Sequence, residues 1–182
     1  MINRRAFLGV VPVGLVALSQ PARATTYFTG ATVRQALFPS ATQFVDRSVT
    51  LTSAQAKAIS KASSARVSKS KVAAWEVRGT GGRLGTMFID QVYGKHEFIT
   101  YAVALGLDGD VRQIEIMDYR ETYGDQIRIP KWRAQFTGKR HGQPLKFTKD
   151  IKNISGATLS FLHITDGVRR LLATYALVIA QG

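Results

Sequence analysis

Residues 150–160 (Asp-Ile-Lys-Asn-Ile-Ser-Gly-Ala-Thr-Leu-Ser) form the stretch whose residue types and spacing point most directly to chemistry. Small polar residues lead into an apolar-periodic segment, so the pattern predicts a turn followed by a helix that begins near Thr158. The first N–H groups of a helix have no partner within it, and the helix dipole favours negative charge there, which makes a phosphate a natural guest. Gly156 lets the backbone approach such a guest closely. The hydroxyls of Ser155, Thr158 and Ser160 can cap the helix, donate to an anion, or be esterified. Read alone, the same residues also make an ordinary helix cap.

Other chemistries are poorly supplied. The chain has no Cys, which excludes disulfides, thiol catalysis, Cys-ligated zinc, iron–sulfur clusters and c-type haem attachment. An all-His metal site would need His96, His141 and His163 to converge, and no metal is expected. Asp90, Glu97, Asp108 and Asp110 are scattered among turns, and no Ser–His–Asp order can be argued from spacing, so no catalytic residue is assigned.

The elements that must position the 150–160 segment read as α+β. An Ala-rich pattern over 52–66 opens on a capping Thr or Ser and predicts a helix. Strand-like residues fill 72–78, a glycine-rich turn covers 78–85, and strands are expected over 86–92, 96–107 and 111–119. Asp108-Gly109 between the last two is a hairpin signal. Alternation of Ile114 and Ile116 with Gln113, Glu115 and Met117 predicts one buried face on the last strand. A short irregular helix is expected over 126–136, where Trp132 and Phe136 stand four apart after Pro130. A terminal amphipathic helix is expected over 159–179, with a break near Gly167. The architecture is thus an antiparallel meander flanked by helices in a single domain. Residues 25–85 supply a helix and a first strand, and residues 86–182 the functional core.

At this point the motifs resemble a known family. Ser155-Gly156-Ala157-Thr158, followed by Leu159-Ser160, resembles the S/T-G-A-T signature of the FMN-binding domain family, which includes flavin-bearing subunits of sodium-pumping NADH:quinone oxidoreductase and of Rnf complexes. Gly94-Lys95-His96-Glu97, the strands around Asp108-Gly109, and the run from Tyr119 through Trp132, Phe136, Gly138 and Lys139 are similar to small exported members. The resemblance implies FMN joined to Thr158 by a phosphoester that a flavin transferase makes. For the flavin ring Tyr119, Tyr123, Trp132 and Phe136 are candidate walls and Glu121, Thr122, Arg133 and Lys139 candidate polar contacts, although each aromatic taken singly is more readily read as core. The family pattern has Asp six residues before its threonine, where this chain has Lys152, and Glu-Thr-Pro-Gly where it has Glu121-Thr122-Tyr123-Gly124. A second match, Thr29-Gly30-Ala31-Thr32, lacks this downstream context and is expected to be coincidental.

Residues 1–24 have the plan of an export signal: Arg4-Arg5, an apolar stretch from Ala6 to Leu18, and Ala22-Arg23-Ala24 before the expected cleavage. The paired arginines before Ala6-Phe7-Leu8 resemble the twin-arginine consensus; a Sec signal is the alternative, and an uncleaved anchor a third reading. A periplasmic protein is expected. Net charge is +13 for the whole chain, and removing Arg4, Arg5 and Arg23 leaves +10. Lys57, Lys61, Arg66, Lys69 and Lys71 concentrate much of the excess and read as a solvated helix face. Such charge steers anions and acidic proteins; nucleic acid is not expected in that compartment. The leading functional expectation is an exported electron-transfer flavoprotein serving a redox partner that is membrane-bound or haem-containing. The alternative is a non-redox module whose basic surface holds an anionic ligand or acidic partner.

Overall fold

Alternating apolar residues and short turns between residues 71 and 119 build an antiparallel meander. A computed structural model describes residues 25–121, 124–154 and 157–182. The expected export signal, together with Thr122, Tyr123, Ser155 and Gly156, lies outside the described residues. In chain order the elements are β1 (Thr25–Thr26), α1 (Gly30–Leu37), β2 (Gln43–Asp46), β3 (Val49–Thr50), α2 (Ser53–Ser63), β4 (Lys71–Gly79), β5 (Gly82–Tyr93), β6 (Phe98–Leu105), β7 (Val111–Tyr119), α3 (Pro130–Arg133) and α4 (Thr158–Leu177). Short 3₁₀ turns at Asp125–Arg128 and Ala134–Phe136 flank α3. All strand pairings are antiparallel, in the order β1-β7-β6-β5-β4-β2, with β3 on a further stretch of β4. The fold is α+β, as expected. No helix among the described residues is long and apolar enough to cross a membrane.

Both faces of the sheet are covered, which corrects the one-sided reading of the last strand. Ile114 and Ile116 enter the larger core with Phe161, Ile164 and Val168 of α4. Met117 enters a second core with Val33 and Leu37 of α1. Register shifts in the β6–β7 pairing re-aim β7, so Val111, Ile114, Ile116 and Tyr119 reach the same core despite their uneven spacing. Glu115 is buried too, in an ion pair with Arg133 and a hydrogen bond from Gln113.

The terminal helix is continuous from Thr158 to Leu177, so the expected break at Gly167 does not occur. Gly167 is there for space. A Cβ at this position would stand 2.2 Å from the Tyr101 hydroxyl. That buried hydroxyl donates to Asp90 (2.9 Å), which also receives Arg170 from the next turn of α4 (2.6 Å). Thr29-Gly30-Ala31-Thr32 opens α1 with a reciprocal capping box between Thr29 and Thr32.

Candidate functional site

Thr158 is the first residue of a 20-residue helix, and its side chain is exposed. The residue before it, Ala157, provides no side-chain cap, and the first turn carries no acid. The contrast with Thr29–Thr32 is chemical: one match closes its own helix start with a threonine side chain, whereas at the other the N-cap residue is an alanine and the threonine is exposed. Asn153 Nδ2 donates to Thr158 Oγ1 at 3.0 Å and so orients that hydroxyl. Ser160 points inward instead, buried, with its Oγ 3.4 Å from the Tyr119 hydroxyl. Leu159 points out, 41% exposed.

The loop after β7 is pressed against this helix start. Gly124 has φ +99°, and a Cβ there would lie 2.5 Å from the Tyr119 hydroxyl and 2.7 Å from Ala157 Cβ. Only glycine satisfies both the dihedral and the gap. Glu121 anchors the same loop from the other side, its Oε1 accepting the backbone N–H groups of Lys95, His96 (2.7 Å) and Glu97 (3.1 Å). Burial pushes this carboxyl up, but the three N–H groups prevail and hold it below the ordinary carboxylate range. Gly94 leaves room for the carboxylate, since a Cβ there would sit 2.4 Å from it. Glu121 is therefore fixed to the distant 94–97 segment, and Gly124 to the start of α4.

The segment entering the site is held by its backbone. Lys152 N–H donates to Gln135 Oε1 at 2.8 Å, and the Lys152 carbonyl accepts from Trp132 Nε1 at 3.0 Å, while the lysine side chain is exposed. Asp150 spends a carboxylate oxygen on the Lys146 N–H (2.8 Å) within its own turn. The structure thus brings Tyr119 to Ala157, Thr158, Leu159 and Ser160, while Glu121 holds the 94–97 turn. Trp132 and Phe136 lie beneath them in the core, fully buried, with Trp132 against Phe161 at a ring separation of 4.5 Å. Arg133 turns away to Glu115 and the Ile114 carbonyl. Lys139 stands at the opposite end of β7: its carbonyl accepts the Val111 N–H, about 25 Å of strand away from Tyr119. Among the described residues no group of three or more His, Asp or Glu could hold a metal.

An exposed threonine on the first residue of a helix whose N-cap residue, Ala157, gives no side-chain cap suits a phosphate-bearing cofactor. Residues 94–173 match the family model described as FMN-binding domain. The chain carries an FMN-binding domain. The match supports flavin mononucleotide as the cofactor. No curated protein matches the chain as a relative. The FMN-binding domain match begins at Gly94, where the Glu121 clamp begins, and ends within α4. It leaves β1–β5, α1 and α2 outside, although β5 pairs with β6 from Thr86 to Tyr93. Sequence reasoning missed Tyr93 and Phe98, two half-exposed aromatics flanking the 94–97 turn, in edge-to-face contact at 5.2 Å. Their signal was present: two large aromatics bracketing a polar turn at a hairpin end, where no core can reach both.

Proposed function

We propose that the chain is an electron-transfer flavoprotein in which FMN is esterified through its phosphate to Thr158 Oγ1. The observation that carries this reading is the exposed Thr158 on the first residue of a helix whose N-cap residue, Ala157, gives no side-chain cap. A phosphodiester at that position retains one negative charge, which the N–H groups of the first helical turn and the positive end of the helix dipole stabilise. Asn153 holds the hydroxyl in one orientation, Gly124 lets the flanking loop close against Ala157, and Glu121 fixes that loop. Bound FMN supplies reversible acceptance and release of electrons. In this reading the chain serves partner proteins: a flavin transferase for loading, and a redox partner that is membrane-bound or haem-containing. Export through the 1–24 signal, Tat or Sec, with cleavage after Ala24, places it in the periplasm, where a covalent tether prevents cofactor loss.

Intact mass is the test, on protein from its native host or co-expressed with a flavin transferase. Wild type is expected to be yellow and heavier than the processed chain by FMN less one water, and Thr158→Ala to be colourless and unmodified. An unmodified wild type, or a modified Thr158→Ala, overturns the reading. Lys152, at the position of the family's Asp, favours a second reading, a basic non-redox module that receives no flavin. Colourless, unmodified wild type is its expected result.

A further inference from the structure

A groove of about 530 Å³ runs beside α4, between the helix, the end of the β5–β6 hairpin and the segment following α2. It lies outside the residues argued above to hold the flavin. We propose that this groove is the docking site for a protein partner whose contacting segment carries carboxylates around an apolar side chain; the role assigned to that partner, electron exchange, rests on the flavin reading of Thr158.

The centre of the groove is aromatic. Tyr93 and Phe98 are 52% and 48% exposed. His163 of α4 lines the groove beside them, its Nδ1 hydrogen-bonded with the Tyr93 carbonyl. The rim is basic: Arg66, Lys69 and Arg170 line it against a single acid, Asp166. Asp166 is spoken for by Arg169, and Arg170 is neutralised by Asp90. Among the described residues neither Arg66 nor Lys69 has a carboxylate partner. Lys69 Nζ instead lies over the Phe98 ring at 5.4 Å and donates to Gln91 at 3.0 Å, poised at the edge of the apolar surface. The basic run 57–71, expected to be only a solvated face, thus delivers two uncompensated cations to an exposed aromatic pair.

That combination selects the occupant. Apolar centres in a charged rim are the anatomy of protein interfaces, the aromatics supplying lifetime and the rim charges steering and registering the partner. Concavity selects a protruding segment over a flat lipid surface. His163 stands five residues beyond Thr158, about 7.5 Å along the helix axis, so a partner seated here is adjacent to the residue assigned to carry the flavin.

The test is site-specific photocrosslinking in the native host, with p-benzoylphenylalanine in place of Phe98 and, as a control, of Leu107, which is equally exposed at the far hairpin. Crosslinked peptides are sequenced by mass spectrometry. The Phe98 probe is expected to capture a protein segment with Asp or Glu flanking an apolar residue, and Arg66→Glu with Lys69→Glu to lower that yield roughly tenfold. The Leu107 probe is expected not to capture it. Capture of lipid, of the chain's own flavin, of a second copy or of a basic segment overturns the proposal, as does no capture or a yield unmoved by charge reversal. Intact mass of the same samples separates the two readings. Flavin-loaded protein without the acidic crosslink sinks the docking site alone; an acidic crosslink to unmodified protein sinks the flavin reading and leaves the surface standing.

Discussion

Replacing Gly167 with alanine tests the packing beneath α4. In an exposed helix interior this substitution stabilises by about 1 kcal/mol, because alanine is the better helix former. Here the added methyl would stand 2.2 Å from the Tyr101 hydroxyl, 3.0 Å from its ring carbon and 3.0 Å from Val92 Cγ1. Tyr101 is fully buried and cannot swing into solvent. Overpacking of a tight core costs about 1–3 kcal/mol. Displacing the hydroxyl from Asp90 forfeits a hydrogen bond to a charged group, roughly 1.5–3 kcal/mol. The expected net effect is a destabilisation of about 2–4 kcal/mol. Urea unfolding reads this as a midpoint lowered by about 1–2 M at unchanged slope. In a Tyr101→Phe background the nearest atom is gone, so the cost of Gly167→Ala should fall by at least about 1 kcal/mol in a double-mutant cycle. A neutral or stabilising Gly167→Ala would refute this account of the glycine, and so would a cost that Tyr101→Phe leaves unchanged.

Three further outcomes follow from the same geometry. Glu121→Gln loses the charge on an acceptor of three backbone N–H groups and should cost about 1–2 kcal/mol at neutral pH. Since the folded pKa of Glu121 is depressed, its contribution is complete above the unfolded value and disappears as pH falls through the folded one. The gap in melting temperature between wild type and Glu121→Gln should therefore be full at pH 7 and shrink by pH 3. Gly124→Ala forces a methyl between Tyr119 and Ala157 at positive φ; intact mass should show reduced flavin loading along with a lower melting temperature. Thr29→Ala removes half of a capping box, so thermal unfolding should shift by the equivalent of about 1 kcal/mol while flavin loading stays unchanged; lost loading would assign the second motif match a role denied to it above.

The meander from β4 to β7 was legible because its strands are long and their turns carry Gly or Asp-Gly. β1, β2 and β3 were not, since two to four residues hold no period to read. α1 was hidden inside a motif match: Thr29-Gly30-Ala31-Thr32 invites comparison with a flavin signature, whereas its two threonines serve each other. At the site, Thr158 and its helix start follow from local sequence. The placement of Lys139 and Arg133 does not, because nearness in sequence to Trp132 says nothing about which end of β7 each will serve. Lys139 closes a strand edge with its backbone, and Arg133 neutralises Glu115, a carboxylate that alternation had placed in solvent. Gly167 misled for the opposite reason: helix propensity is local, and the space it leaves is claimed by a side chain 66 positions earlier.

The pairing of Thr25 and Thr26 with Tyr119 and Asp118 has a practical consequence. Anything preceding residue 25 emerges at the end of β7 that abuts the start of α4, whereas Gly182 lies beyond the other end of a helix about 30 Å long. An affinity tag or fusion joined ahead of Thr25 would crowd Thr158, the residue proposed to carry the cofactor, and one joined after Gly182 would leave that approach clear. Preparations that differ only in which terminus bears the tag should then differ in colour.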